Sequence, residues 1–384
     1  MGGGGSHAYY LAHALSLSDK NIKVHVLTSS DKNEAINDPS PYKNLTIHRT
    51  KFVHTDLLFY DGVINKGLEL CEKIKPDIIH GQHLVGVHIG LHLKAAFNKP
   101  LVVTLHKTPL LIWEPSEIKS NAQYCNIKLL TKLDIIDVFV AGSSAFKNEL
   151  LEFGVREEKI EQIYHGIPLG WFKKKAYDQK NISSVIKKIG LKDDDNLIIC
   201  PCRLDERKKI ELFVKASGLL QKKVSNKKFI FLITGNAKNQ EEQKYKNELI
   251  EIAKSYGIED YIKFQSFEFD EIPALNQIAK VCVLPSISEG LGLVLIEALA
   301  VQTPIIGTNT KGINEVISEN RLHGLRFKLD SYEQLSECLI ELLTDDELYK
   351  KLKTNGFKRV KAIFDSKLMA QKHLFLYNKL LNDK

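Results

Sequence analysis

The sequence predicts an α/β protein built from two doubly wound domains. Short apolar segments alternate with amphipathic helical patterns along nearly the whole chain of 384 residues. Several of these apolar segments are continuous β-branched runs, which are typical of strands buried on both faces in parallel sheets. The alternation is that of βαβ units, and it is interrupted once near the middle of the chain. A chain of this length accommodates two or three domains.

The individual strands and helices are predicted from these two periodicities. Strands are expected at 22–28, 45–49, 77–80, 101–105, 137–141 and 160–164, and again at 197–202, 229–234, 262–265, 281–284, 304–307 and 325–327. Helical patterns lie between them at 7–18, 62–74, 85–97, 144–153, 208–222, 240–256, 271–279, 293–301 and 331–341.

The interruption predicts the boundary between the domains, because residues 166–190 carry Pro, Gly and a basic run but no strand pattern. We predict a first domain over 1–170, a linker over 171–185 and a second domain over 186–365. An amphipathic pattern follows the last strand. We expect this C-terminal helix, 366–384, to pack back on the first domain.

The chain opens with MGGGGSHAYYLAHAL, a glycine-rich segment that runs directly into a helical pattern. Phosphate-binding loops of this kind normally follow a strand, and the first strand of a doubly wound sheet is central. The sequence therefore predicts that the first strand of the N-terminal domain is missing, either because the true start lies upstream or because the strand was lost. MGGGGS also fits a short acylation pattern, but the adjoining helix explains the glycines better.

Composition and charge exclude several classes of protein. Hydrophobic residues make up 43% and charged residues 26%, which excludes a disordered chain. We find neither a secretory signal nor an apolar run of about 18 residues, so we expect a cytoplasmic protein. The net charge of +7 is spread along the chain. It fits a solvated surface, or one that contacts an anionic substrate or the inner face of a membrane.

The segment 281–300 carries the strongest local signal for a binding site. An apolar strand ends in a turn that leads through Glu289, Gly290 and Gly292 into a helix. Glycines let the backbone approach a ligand closely, and the first N–H groups of a helix attract anions. A carboxylate beside an anion site is favourable when it accepts hydrogen bonds from sugar or ribose hydroxyls. An ordinary turn with a surface glutamate is the alternative.

A second signal follows the strand at 197–202. Arg203 stands at its carboxyl end and Lys208 lies five residues further on, near a helix start. Ligands of open α/β sheets bind at such carboxyl ends, and two cations beside a helix N-terminus suit a diphosphate. The alternative is a solvated basic turn.

Together these segments resemble the retaining glycosyltransferases of family 4, also called glycosyl transferases group 1, which have the GT-B fold. Glu289 and Glu297 have the spacing of the family's E-x7-E motif, and the segment from Arg203 to Lys208 is similar to its R-L-x-x-x-K element. Further similar elements follow in order at Gly2-Gly3, 76–83, 100–106, Ser143-Ser144, 159–167 and 310–317. The resemblance thus covers nearly the whole chain.

The resemblance implies a role for each matching residue. Glu289 would contact the donor sugar and Glu297 the ribose, while Arg203 and Lys208 would bind the diphosphate. His106 would lie near the reacting carbon. The donor-binding set is completed by Gly3, Gly290, Leu291, Gly292 and Leu293.

The same resemblance implies an enzyme with two Rossmann-like domains that face a cleft. It would transfer a hexosyl group, with retention, from a nucleotide sugar to a sugar, a glycolipid or another hydroxyl acceptor. No metal, cofactor or nucleic acid is implied. A catalytically inactive or truncated relative that binds sugar nucleotides is the alternative. A dehydrogenase is disfavoured because no G-x-G-x-x-G follows a strand.

The sequence departs from the family pattern at three further places: His165 replaces the usual Asn, Lys209 replaces a Gly, and Lys311-Gly312 replaces a Gly pair. The last change is expected to narrow a loop near the nucleotide or to change its charge. The stretch 107–125, which includes Trp113, is irregular and is a candidate acceptor loop. The six cysteines lack CxxC spacing, so we expect reduced thiols.

Overall fold

The computed structural model describes residues 3–30, 37–38, 42–51, 58–106 and 134–383. It divides the chain into two compact units. Unit 1 comprises Met1–Gly166 with Ser366–Lys384, and unit 2 comprises Ile167–Asp365. No helix in these ranges combines the length and apolar character needed to cross a membrane.

Unit 1 combines parallel strands with surrounding helices. Its strands are β1 (Val24–Ser30), β2 (Asn37–Asp38), β3 (Leu45–Lys51), β4 (Ile79–Gln82), β5 (Leu101–Thr104), β6 (Val138–Ala141) and β7 (Ile160–Gln162). Its helices are α1 (Gly3–Ser18), α2 (Leu58–Ile74), α3 (His83–Phe97), α4 (Ser144–Glu152) and α14 (Ser366–Asn382). The described strands form a sheet of order β1-β3-β2 and a parallel sheet of order β4-β5-β6-β7.

The strand β5 shows why these segments form strands. All four of its residues are buried, as expected for an apolar run that is covered on both faces. Leu101 and Val103 pack with Phe139 and Phe146 in the core of unit 1. Gly3, Gly4 and Gly5, which the sequence predicts in a loop, are instead the first residues of α1.

The C-terminal helix α14 packs against α1 within unit 1. Met369, Ala370 and His373 form part of its buried face. The backbone N–H of Gly166 donates to Sδ of Met369 over 3.2 Å. These contacts join the last helix of the chain to the end of the first chain segment of unit 1.

Unit 2 contains a six-stranded parallel sheet of order β10-β9-β8-β11-β12-β13. Its strands are β8 (Asp195–Cys200), β9 (Lys228–Ile233), β10 (Ile262–Phe264), β11 (Val281–Leu284), β12 (Ile305–Thr308) and β13 (Leu325–Phe327). Its helices are α5 (Leu169–Ala176), α6 (Gln179–Ile189), α7 (Ile210–Lys223), α8 (Gln240–Ser255), α9 (Ile272–Ile278), α10 (Leu293–Ala300), α11 (Lys311–Val316), α12 (Tyr332–Thr344) and α13 (Asp346–Ile363). Counted from its own first strand, the sheet has the 3-2-1-4-5-6 order of the doubly wound fold.

The segment predicted as a linker, 171–185, differs in the structure. It lies within α5 and α6 and belongs to unit 2. Phe172 and Val185 are fully buried, so the segment contributes to the core. Asp178 caps α6 by accepting from two backbone N–H groups, and Gly190 ends it in a left-handed conformation. These two residues are the start and stop signals of a helix.

Candidate active site

The topology of unit 2 identifies the point at which a ligand is expected. Strands β8 and β11 are parallel neighbours, with Val281 opposite Ile198. From β8 the strand order runs outward in one direction through β9, and from β11 it runs in the other. Ligands of open α/β sheets bind beyond the carboxyl ends of the strands at such a switch point. The segments that follow these two strands carry the glutamate and basic residues predicted from sequence.

A backbone hydrogen bond joins the segment that follows β8 to the segment that follows β11. The N–H of Ile287 donates to the carbonyl of Arg207 over 2.9 Å. Residues Glu206–Lys208 form a single 3₁₀ turn, which Asp205 caps by accepting from the Arg207 N–H over 3.1 Å. Lys209 then adopts a left-handed conformation with φ of 47° and starts α7. This turn fixes the position of Lys208.

Lys208 and Glu289 form an ion pair that links these two segments. Nζ of Lys208 lies 2.5 Å from Oε1 of Glu289. Their side chains are 18% and 16% exposed, respectively. A charged pair that is mostly shielded but still reachable is well placed to exchange partners with a charged, hydroxylated ligand.

Arg203 adds a more accessible positive charge. Its side chain is 56% exposed, and Nη2 lies 3.4 Å from Oδ2 of Asp205. Arg207 holds the same carboxylate more closely, at 2.6 Å. The sequence reasoning missed Asp205 and Arg207, although the position of Asp205 directly before a helical turn is typical of an N-cap.

The helix α10 starts at the same edge of the sheet. Gly292 precedes it in a left-handed conformation with φ of 78°, which favours glycine. Gly290, Leu291 and Leu293 complete this start, where helix N–H groups attract an anion. Glu297 is buried one turn further on. Burial, and then the nearby Glu297 carboxylate, raise the pKa of the Cys282 thiol well above its usual value.

The start of α11 packs directly on the backbone of Glu289. A Cβ added to Gly312 would lie 2.1 Å from the Glu289 carbonyl oxygen. Lys311, its neighbour, is exposed. The Lys311-Gly312 pair therefore combines a glycine that the close approach requires with an added positive charge.

Gly312→Ala should displace the Glu289 backbone and destabilise unit 2. Overpacking of this kind typically costs about 1–3 kcal/mol. Gly170 in α5 provides a matched control, because nothing lies within 4 Å of a Cβ added there. Gly170→Ala should stabilise by about 0.4–1 kcal/mol through the unfolded chain. Urea unfolding of both variants tests this difference in sign, and equal stability changes would contradict it.

Unit 1 brings a second group of predicted residues together. His106 follows β5, and a Cβ added to Gly4 would lie 3.1 Å from its Cγ. Gly3 begins the same helix. The ring centroid of His7 lies 4.9 Å from that of His106 and 3.8 Å from that of His165. The start of α1 thus closes over a cluster of imidazoles.

The imidazoles of this cluster are neutral near pH 7. Burial, and then the neighbouring His165, lower the pKa of His106 well below its usual value. The same two causes lower the pKa of His7. Both ring nitrogens of His7 are buried and have no hydrogen-bond partner among the described residues. Trp113 and the candidate acceptor loop lie outside the described residues.

Comparisons with known proteins identify the family of the chain. Residues 1–171 match the family model for Glycosyltransferase Family 4, and residues 181–359 match that for glycosyl transferases group 1. N-acetyl-alpha-D-glucosaminyl L-malate synthase of Bacillus anthracis is 23% identical over 99% of this chain and 96% of its own. D-inositol 3-phosphate glycosyltransferase of Paenarthrobacter aurescens is 26% identical over 83% of this chain and 79% of its own.

Solved structures show the same fold. Sucrose-phosphate synthase from Thermosynechococcus elongatus superposes with a TM-score of 0.81 at 21% identity, covering 100% of this chain and 94% of its own. HepE from Anabaena, solved with UDP and glucose, superposes with a TM-score of 0.74 at 16% identity, covering 93% and 100%. The solved structures confirm the predicted GT-B fold, and together with the family models they define a glycosyltransferase of the GT-B class. The chain belongs to glycosyltransferase family 4.

Proposed function

We propose that this glycosyltransferase moves a hexosyl group, with retention, from a nucleoside-diphosphate sugar to a hydroxyl acceptor. The observation that carries the proposal is the Lys208–Glu289 ion pair at the switch point of the unit 2 sheet. Each member of the pair matches one part of such a donor. The ammonium group matches a phosphate, and the carboxylate matches the hydroxyl groups of a sugar.

The diphosphate would bind where the positive charges of unit 2 converge. Breaking the bond between sugar and phosphate places negative charge on the departing phosphate. Lys208, Arg203 and the N–H groups at the start of α10 are the groups that would stabilise this charge. Because they supply positive charge from the chain itself, we propose transfer without a metal ion.

The glutamates would bind the hydroxyl groups of the donor. Without a donor, Glu289 and Lys208 neutralise each other. On binding, the diphosphate would take Lys208 and the hexosyl hydroxyls would take Glu289. Glu297, buried behind the start of α10, would hold the ribose. We assign His106 to the reacting sugar, as the family resemblance implies.

The relatives support the donor class and leave a choice of acceptor. HepE was solved with UDP-glucose, and the names of two relatives refer to L-malate and D-inositol 3-phosphate. We therefore propose a nucleoside-diphosphate hexose as donor. A sugar, a glycolipid or a small hydroxylated compound would be the acceptor.

Titration calorimetry of the purified chain tests the proposal. UDP, GDP and ADP are titrated first, with and without EDTA, and the hexose derivatives of the nucleotide that binds are titrated next. We expect one nucleotide to bind, to the same extent in EDTA, and its sugar derivative to be consumed when acceptors are added. A folded chain that binds none of the three would contradict the proposal. Binding without turnover across the acceptor classes would favour the inactive relative.

A further inference from the structure

A chain of hydrogen bonds in unit 1 leads from His106 to the C-terminal helix. Nε2 of His106 lies 2.8 Å from Oε1 of Gln82. The amide nitrogen of Gln82 lies 3.0 Å from Nε2 of His80. On the other side of that ring, Nδ1 of His80 lies 2.6 Å from Oη of Tyr377 in α14. These hydrogen bonds thus join the ends of β4 and β5 to α14. His80 and Tyr377, which they connect, are 297 positions apart in the sequence.

The amide of Gln82 sets the direction of these hydrogen bonds. Its oxygen only accepts, so Nε2 of His106 carries the proton and donates it. Its nitrogen only donates, so Nε2 of His80 is the unprotonated, accepting nitrogen. The hydroxyl of Thr104 lies 2.8 Å from the same nitrogen and is a second donor to it.

The state of His80 fits this direction. Burial, and then the nearby His373, lower the pKa of His80 well below its usual value, so the ring is neutral and carries one proton. With Nε2 accepting, that proton is on Nδ1, which donates to the Tyr377 hydroxyl. Every ring nitrogen of His80 and both polar atoms of the Gln82 amide are therefore engaged.

We propose that Gln82 is a positioning residue for glycosyl transfer. It holds His106 as the Nε2–H tautomer, so that Nδ1 of His106 is the nitrogen that accepts a hydrogen bond from a sugar hydroxyl. His80 and Tyr377 keep the Gln82 amide in the required orientation, which makes the C-terminal helix part of the support of the site. This inference rests on the proposed function, in which His106 meets the reacting sugar.

Nitrogen-15 NMR of the full chain tests the tautomer without any substrate. An unprotonated imidazole nitrogen resonates far downfield of a protonated one. The His106 signals are assigned by their loss in His106→Asn. At pH 8 we expect an unprotonated Nδ1 and a protonated Nε2. Gln82→Met should give a mixture of the tautomers, whereas Gln82→Glu, which keeps an accepting oxygen, should retain the Nε2–H form. A protonated Nδ1 in the wild type would overturn the proposal.

Steady-state kinetics with the donor found by calorimetry tests the consequence. Gln82→Met should lower kcat by about 10²-fold, the scale of a misplaced catalytic group, with less change in KM. Gln82→Glu should recover most of this loss. Gln162→Met is the matched control, because the Gln162 amide bonds to Ser144 Oγ over 2.9 Å in the same unit. Its kcat should stay near that of the wild type. If Gln82→Met changes the tautomer but leaves kcat unchanged, the positioning role is overturned. If neither the wild type nor any variant turns over, the result counts against the proposed function instead.

Discussion

Lys208→Ala should lower the rate of glycosyl transfer by about 10²–10³, the usual effect of removing one group that stabilises developing negative charge. The substitution removes the cation that lies 2.5 Å from Glu289 and leaves that carboxylate without this partner. The core of unit 2 should be retained, because Lys208 lies in a surface turn and Ile210, the first residue of α7, carries the nearby apolar packing. Steady-state kinetics and circular dichroism measure the two quantities.

Lys228→Ala is the matched control for Lys208→Ala. Lys228 also pairs with a carboxylate, that of Asp195, at 2.9 Å. It begins β9, at the amino end of the sheet, away from the carboxyl ends that carry the site. We expect turnover near that of the wild type in this control. Near-wild-type turnover in Lys208→Ala would contradict the role assigned to Lys208.

Glu289→Ala should lower turnover to a similar extent. If the two residues act on one donor, the double variant should lose less than the product of the two single losses, because residues that act as a unit are not additive. Multiplied losses would instead indicate that Lys208 and Glu289 act independently.

The residues predicted for the site of unit 2 lie in two short segments, because the sequence signals that identify them are local. Arg203 and Lys208 follow one strand, and Glu289 and Glu297 follow another. The parallel order of the sheet then brings the two segments together. What the sequence did not contain was the distance: Lys208 and Glu289 are 81 positions apart, and their ion pair depends on the switch point between β8 and β11.

Two differences between the predicted and the observed segments also have local causes. The linker prediction over 171–185 followed the basic run and overlooked the cap at Asp178. The helix α13 was not predicted, although Asp345 caps it and Leu348, Leu352 and Val360 are buried along one face. In both segments many lysines surround a narrow apolar stripe, so average polarity obscured the helical period.

The hydrogen-bond chain of unit 1 lay beyond sequence reasoning for a different reason. Gln82 and Tyr377 have no pattern in common, and His80 links them only because α14 packs back within unit 1. The same holds for His7, His106 and His165, whose ring contacts join three separate segments. Clusters built from distant side chains follow from tertiary packing, which single-sequence periodicity does not encode.

Acidification from pH 8 to pH 5 should unfold unit 1 before unit 2. His7, His165 and His373 are buried in unit 1. Burial, and then the nearby His373, lower the pKa of His165 to about 3. Burial lowers the pKa of His373 to about 4. Of the 13 histidines in the chain, only His323 falls in unit 2.

The sign follows from where each state binds protons. The unfolded chain protonates these rings as the pH falls through about 6.5, whereas the folded unit does not until the lowered pKa values are reached. The contribution of these buried neutral histidines to the free energy of unfolding is complete above pH 6.5. It is lost as the pH falls from 6.5 to the lowered pKa values of the folded unit. At pH 5, His165 and His373 should each cost about 2 kcal/mol of the free energy of unfolding. His7 adds to this loss, which is large beside a total stability of about 5–15 kcal/mol.

Hydrogen exchange followed by mass spectrometry measures the protection of each unit separately. The exchange rates are corrected for the effect of pH on chemical exchange. Protection of α1 and α14 should collapse at pH 5, while β8 and β9 of unit 2 remain protected. His165→Asn introduces the residue that is usual in the family at this position and removes one titrating ring. It should therefore reduce the pH dependence of unit 1 stability by about 1.4 kcal/mol per pH unit in the range between pH 6 and 4. Equal protection of α1 and α14 at pH 8 and pH 5 would show that the buried histidines do not control the stability of this unit.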